Sequence, residues 1–220
     1  TTIICSEQRK TQIKKSRPKS LVVIHNTPSN IPVLKENLSK KEKVKIAYIG
    51  ILQDFRLLKE MVEIVSEMKN VELHIGGFGK YEDYMRNAAR QHSNIKFYGK
   101  LQYEETLRLE NSCDLMTAIY DPSIGNHKYA APNKFYEAFF LGKPLIMVKE
   151  TGMSDIVKSE DIGVLIEYSS EGFRDGVKSL INRRHGWEKM SDKMKKIYLE
   201  KYSWNEMEKR LQELYLRFDN

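Results

Sequence analysis

At 220 residues the chain exceeds the usual ~100–200 residues of one domain, so one domain with an appendage is the leading reading. With 40% hydrophobic and 30% charged residues, 12 Gly and 6 Pro, the composition excludes a collagen-like or low-complexity polymer, and the longest apolar runs, such as "CDLMTAIY", fall far short of the ~20 residues a bilayer span needs. A net charge of +7 keeps phosphate-bearing ligands and anionic surfaces open as partners, while Cys5 and Cys113 have neither the spacing of a zinc motif nor the number for a disulfide framework.

In chain order, "TTIICS" reads as a strand, followed by the basic stretch "RKTQIKKSRPK" and the strand-like "LVVIHN". "HNTPSNIP" and "LSKKEK" are then punctuated by turn residues and charge, so residues 1–43 are expected to be a remnant of a preceding domain and a connector. The first residue is Thr rather than Met, which suggests a fragment. From residue 44 to 220 short β-branched runs alternate with amphipathic segments. "VKIAYIG", "VELHIGG", "IKFYG", "DLMTAIY", "PLIMV" and "GVLIEY" read as strands, most of them largely apolar, as strands buried on both faces are. "FRLLKEMVEIVSEMKN" carries an apolar stripe of Leu57, Leu58, Met61, Val62, Ile64, Val65 and Met68, and further helices are predicted near 80–92, 103–112, 132–142, 171–182, 187–201 and 204–218. Such alternation specifies parallel strands with right-handed crossovers: an α/β fold, a Rossmann-like parallel sheet with helices on both faces. Ligands then bind where strand ends run into helix starts, here the loops from Gly50, Gly76, Gly99, Tyr120 and Lys149.

The segment "YAAPNKFYEAFFLGKPLI" holds two misfits. Pro132 opens a helix and leaves free amides at Asn133 and Lys134, where the helix end carries about half a positive charge that suits an anion. Lys134 is unfavourable there unless an anion compensates it; the alternative is a side chain extended into water. Glu137 sits among Phe135, Tyr136, Ala138, Phe139 and Phe140, on the side of Asn133 and Lys134 by helical spacing. Its two oxygens suit vicinal hydroxyls such as those of a ribose, or else a core cation or a helix cap. Arg56 follows the end of a strand and either grips phosphate or lies on the surface. "IGGFGK" is half of a dinucleotide fingerprint and supports only a tight turn with close backbone approach. His25, His74, His92, His127 and His185 have no ligand spacing, so no metal is expected, and no nucleophile–base pair is evident. The basic run "RRHGWEKMSDKMKK" is read as a solvated face, with an interfacial helix near acidic lipids as the sharper alternative; without an aromatic-rich signature, nucleic acid is not expected as a partner.

Taken in order, "YIGILQDFRLLKEMVEI", "HIGGFGKYEDY", "NIKFYGKLQYEE", "SCDLMTAIYDPS", "APNKFYEAFFLGKPLI", "ETGMSDIVKSEDIGVLI" and "YSWNEMEKRLQELY" resemble the C-terminal, donor-binding half of GT-B glycosyltransferases of the retaining family 4 type, in a bacterial subgroup that builds surface polysaccharides. The resemblance runs from about residue 44 to 218, and "HNTP" is similar to the family's interdomain connector. It implies a nucleoside-diphosphate-sugar donor as substrate, no other cofactor, and transfer to a glycan or lipid-linked acceptor held by an N-terminal domain. It also implies a cytoplasmic location, with peripheral contact at the inner membrane face, and little turnover by these residues alone. By implication Glu137 takes the ribose hydroxyls, while Arg56, Asn133 and Lys134 hold the diphosphate. Gly50, Tyr129 and Pro132 face the donor sugar or cleft, and the loop at Lys100 and Leu101 lines the nucleobase. Two positions depart from the pattern: Tyr129 stands where the family has the first of two glutamates, and Ile51 where it has an arginine. These departures keep a non-catalytic binding or scaffold module, and a GT-B-like sugar-nucleotide epimerase, as alternatives; no catalytic residue is assigned.

Overall fold

The computed structural model describes residues 1–28 and 43–217, so most of the expected connector lies outside the described residues. At the start, Thr2–Ile4 (β1) and Leu21–Val23 (β2) pair in parallel, with a single helical turn at Arg9–Gln12 (α1) between them. The main body then runs Val44–Ile51 (β3), Leu58–Ser66 (α2), Val71–Phe78 (β4), Glu82–Gln91 (α3), Ile95–Phe97 (β5), Tyr103–Ser112 (α4), Leu115–Ala118 (β6), Asn133–Leu141 (α5), Leu145–Val148 (β7), Ser154–Ser159 (α6), Gly163–Ile166 (β8), Ser170–Asn182 (α7), Trp187–Ile197 (α8) and Trp204–Leu216 (α9). Strands β3 to β8 form one parallel sheet in the order β5-β4-β3-β6-β7-β8. Every residue of β6 and β7 is buried, which is why these strands read as continuous apolar runs.

Alternation along β3 divides the core. Val44, Ile46 and Tyr48 face one side, where they pack with α2, α3 and α7. Ala47 faces the other, with Phe135, Tyr136 and Phe139 of α5 and Met190 and Met194 of α8. From β3 the chain winds outward through β4 and β5, then returns to lay β6, β7 and β8 on the opposite side. The order therefore reverses between β3 and β6, the kind of switch point beyond whose carboxyl ends open α/β sheets form a crevice.

Three local differences from the sequence reading have physical causes. The helix expected from Phe55 begins only at Leu58, because Phe55 and Leu57 take left-handed φ values of 67° and 51°. Helix α6 was not anticipated, since six residues are too few to show a period. The helix expected over 187–201 ends at Ile197 in a π-type turn, Tyr198–Tyr202, which turns both tyrosines inward.

The N-terminal segment seats on helices rather than on a sheet edge. The His25 amide donates to Met207 Sδ at 3.0 Å, and its Nδ1 lies 3.0 Å from the Tyr136 hydroxyl. Thr27 donates to Tyr198 at 3.3 Å, and Arg210 Nη1 to the Val23 carbonyl at 3.3 Å. His25 also packs edge-on against Tyr202, part of a ring cluster with Phe135, Tyr136 and Phe139.

Candidate functional site

The crevice beyond β3 and β6 is floored by backbone. Gly50 and its register partner Gly77 have φ of 154° and 145°, and a Cβ on Gly77 would lie 1.9 Å from the Gly50 carbonyl oxygen. Only glycine permits this approach. Gly50 leaves room for a cation as well: Lys134 Nζ stands 3.1 Å from where its Cβ would be. The "IGGFG" run thus shapes the strand ends, the close approach its sequence supported.

Helix α5 aims its N-terminus at this floor. Pro132 is the N-cap, in extended conformation, and the Phe135 amide bonds back to its carbonyl at 3.0 Å. Among the described residues no hydrogen bond takes the amides of Asn133 or Lys134, so the helix start presents free donors. Lys134 folds over the Tyr48 ring, 4.6 Å from its centroid, and Tyr48 is fixed by donating to the Ile51 carbonyl at 2.9 Å. Burial lowers the Lys134 pKa to about 8, against the pull of Glu110 and Glu137, and the nearby Arg56 lowers it further. Arg56 reaches the same crevice from the β3–α2 loop. Its guanidinium lies 4.3 Å over Tyr120, and Nη1 donates to the Phe55 carbonyl at 3.0 Å and to His127 Nε2 at 3.2 Å. Both cations therefore converge on one end of the sheet. Asn133 is half committed: its Oδ1 accepts from Asn26 Nδ2 at 2.6 Å, which ties the N-terminal segment to the helix start.

Glu137 is more enclosed than the sequence suggested. An open oxygen is expected for a residue awaiting hydroxyls, yet only 4% of Glu137 reaches solvent. It lies beside the Tyr103 hydroxyl at the head of α4, and burial raises its pKa while Lys134 and Tyr103 oppose the rise. A second carboxyl escaped the sequence reading. Glu110 of α4 is 1% exposed, its Oε2 has no hydrogen-bond partner among the described residues, and burial followed by the charge of Glu137 drives its pKa well above the ordinary range. Its signal was present, because Thr106, Leu107 and Glu110 share the buried stripe of α4.

The remaining expected residues are placed as follows. Leu101 packs over Gly76, and Gly77 donates to the Gly99 carbonyl at 2.7 Å, so the loop after β5 folds onto the end of β4. Lys100, in the same loop, lies 5.2 Å over the Phe78 ring. Tyr129 is half-buried at the end of a 3-10 turn, Gly125–Tyr129, before α5. Ile51 is exposed at the end of β3, beside Phe78. A concavity of about 420 Å³ lies elsewhere, between β7, α6 and β8, and contains none of these residues.

A parallel six-stranded sheet with helices on both faces, a free helix start and two cations at its carboxyl end is a Rossmann-like α/β fold. Residues 43–183 match the sequence model described as "Glycosyl transferases group 1", and the chain belongs to that family. A Corynebacterium glutamicum protein, a GDP-mannose-dependent monoacylated alpha-(1-6)-phosphatidylinositol monomannoside mannosyltransferase, is 24% identical over 156 residues, which cover 62% of this chain and 41% of that one. The chain thus spans less than half of this curated relative. Among solved structures, sucrose-phosphate synthase from Thermosynechococcus elongatus superposes with a TM-score of 0.75 at 15% identity, covering 98% of this chain and 57% of its own. HepE of Anabaena, solved with UDP and glucose, gives 0.74 at 14%, covering 97% and 62%. These likenesses establish the fold.

Proposed function

We propose that the chain is the C-terminal, donor-binding half of a retaining, family 4 type glycosyltransferase that uses a nucleoside-diphosphate sugar. The observation that carries the reading is the convergence of Lys134, Arg56 and the free amides of α5 on the switch-point crevice, with Glu137 one turn further along the same helix. Diphosphate is held by the two cations and the helix start, ribose by Glu137, and the nucleobase by the loop at Lys100 and Leu101. As the bond from the sugar C1 to the diphosphate breaks, negative charge grows on the leaving oxygens, and preorganised cations stabilise it more than they stabilise the bound donor. The acceptor is a glycan or lipid-linked sugar brought by a second domain, which also closes the crevice against water. The name of the C. glutamicum relative, whose acceptor is a phosphatidylinositol mannoside, supports a lipid-linked acceptor. We also place the protein in the cytoplasm, with peripheral contact at the inner membrane face; among the described residues no helix is long and apolar enough to cross a membrane.

Calorimetry with UDP-glucose, GDP-mannose and the free diphosphates tests the reading, and no binding at millimolar ligand overturns it. Glu137→Ala is expected to weaken binding by about 1–3 kcal/mol, the scale of a hydrogen bond to a charged group. The matching 2′-deoxynucleotide should bind the wild type more weakly and the variant equally; equal binding of both sugars by both proteins makes Glu137 structural. The exposed Ile51, standing where the resemblance places an arginine, favours a second reading as a non-catalytic binding module. Donor binding without transfer by the protein joined to its acceptor domain selects that one.

A further inference from the structure

We propose that His127 is a positioning residue for Arg56, holding the guanidinium toward the anion site through a hydrogen bond that only a neutral imidazole accepts. The inference rests on the reading of Arg56 as a diphosphate ligand.

Both ring nitrogens are assigned by partners that admit one role each. Nδ1 lies 2.8 Å from the Asp121 carbonyl oxygen, which only accepts, so Nδ1 carries the proton. Nε2 lies 3.2 Å from Arg56 Nη1, which only donates, so Nε2 presents its lone pair. The imidazole bridges the loop after β6 to the loop after β3. It is itself held firmly: its ring packs edge-on against Tyr120 at 5.3 Å, and its carbonyl accepts from the amides of Gly152 at 3.0 Å and Ala130 at 3.2 Å. Arg56 needs such a hold. Its two neighbours, Phe55 and Leu57, both occupy the left-handed region, a conformation that side-chain-bearing residues keep only where their surroundings impose it.

Only a neutral imidazole fits between these partners: a hydrogen on Nε2 would remove the acceptor and set two cations against each other. The groups around the pair do not offset this. Arg56 approaches from the β3–α2 loop and Tyr120 from the loop after β6, where the Asp121 carboxylate already accepts from the Ser123 amide at 2.8 Å. Lys128 follows in the chain, and Lys134 of α5, Tyr48 of β3 and Tyr168 beyond β8 all feel the charge of Arg56.

The test is nucleotide-sugar affinity by calorimetry at pH 7.5, with UDP-glucose and GDP-mannose as probes. His127→Ala is expected to bind about tenfold more weakly than the wild type, the scale of one hydrogen bond to a charged group. His127→Gln keeps a neutral acceptor, so it should recover most of that loss, and the ring nitrogen resonances of the unliganded wild type should show the Nδ1–H tautomer. A His127→Gln variant that binds no better than His127→Ala overturns the inference alone, as does the opposite tautomer. A wild type that binds neither probe overturns the site reading and this inference with it.

Discussion

Glu110 and Glu137 are two buried carboxyls that share one ammonium, that of Lys134, and their environment disfavours ionising both. A carboxyl whose pKa rises on folding binds protons more tightly in the folded state. Its contribution to stability is therefore present below the unfolded value of about 4.5 and is lost as pH climbs toward the raised one. Glu110→Gln removes this term, so the variant should melt higher than the wild type at neutral pH and show a flatter melting profile above pH 4.5; equal slopes in a thermal series would refute the assignment. Lys134 gives a signature of opposite kind. With its pKa lowered to about 8, it is partly neutral in mildly alkaline solution, and a diphosphate settling beside it restores the charge. Binding of UDP-glucose or GDP-mannose at pH 8 is thus expected to take up a fraction of a proton, read from the dependence of the calorimetric heat on buffer ionisation, and Lys134→Met should abolish the uptake.

Helix α5 joins these residues to the rest of the chain, since one side carries Lys134 and Glu137 and the other carries Phe135, Tyr136 and Phe139 into the core. Through Tyr136 it also seats His25, whose burial, reinforced by Arg210, lowers its pKa to about 4. A histidine with a depressed folded pKa stabilises fully above its unfolded value of about 6.5, and that stability drains as pH falls from there to about 4. The loss is on the order of 3 kcal/mol for a residue this buried. His25→Phe cannot protonate, so the stability difference between wild type and variant should narrow by that order across this interval in denaturant titrations. Elements of this kind were readable in advance wherever burial imposes a period. The inner strands β6 and β7 appear as unbroken runs without charge, and the misfit of Glu137 and Lys134 stood out against the apolar helix around them. Glu110 lay on an equally clear stripe but among polar neighbours that drew no contrast. Arg56 was legible as a cation at a strand end, yet not its holder: His127 sits in a 3-10 turn, and its bond to Arg56 spans 71 residues that no local pattern relates. The left-handed Phe55 and Leu57 were invisible because nothing in their side chains favours that conformation.

Across the whole molecule, contacts fall into two classes of reach. Neighbouring strands β3 and β4 are joined within a few dozen residues, as Val44 opposite Val71 shows, whereas the seat of the N-terminal segment joins His25 to Met207 across 182 residues. Closing so long a loop costs entropy that local pairing does not, so the sheet is expected to form before the seat. In pulse-labelled hydrogen exchange during refolding, the amides of β3 and β4 should gain protection ahead of the His25 amide, which bonds to Met207. Simultaneous protection would show that the segment docks without waiting for α9. The same separation has a consequence for synthesis. As the chain leaves the ribosome, residues 1–28 find half of their seat when Tyr136 appears, but Met207 and Arg210 follow only some 70 residues later. The segment must therefore stay unaggregated while the residues between it and α9 are made, and the lysines and arginines of "RKTQIKKSRPK" supply the repulsion that keeps it solvated until its place exists.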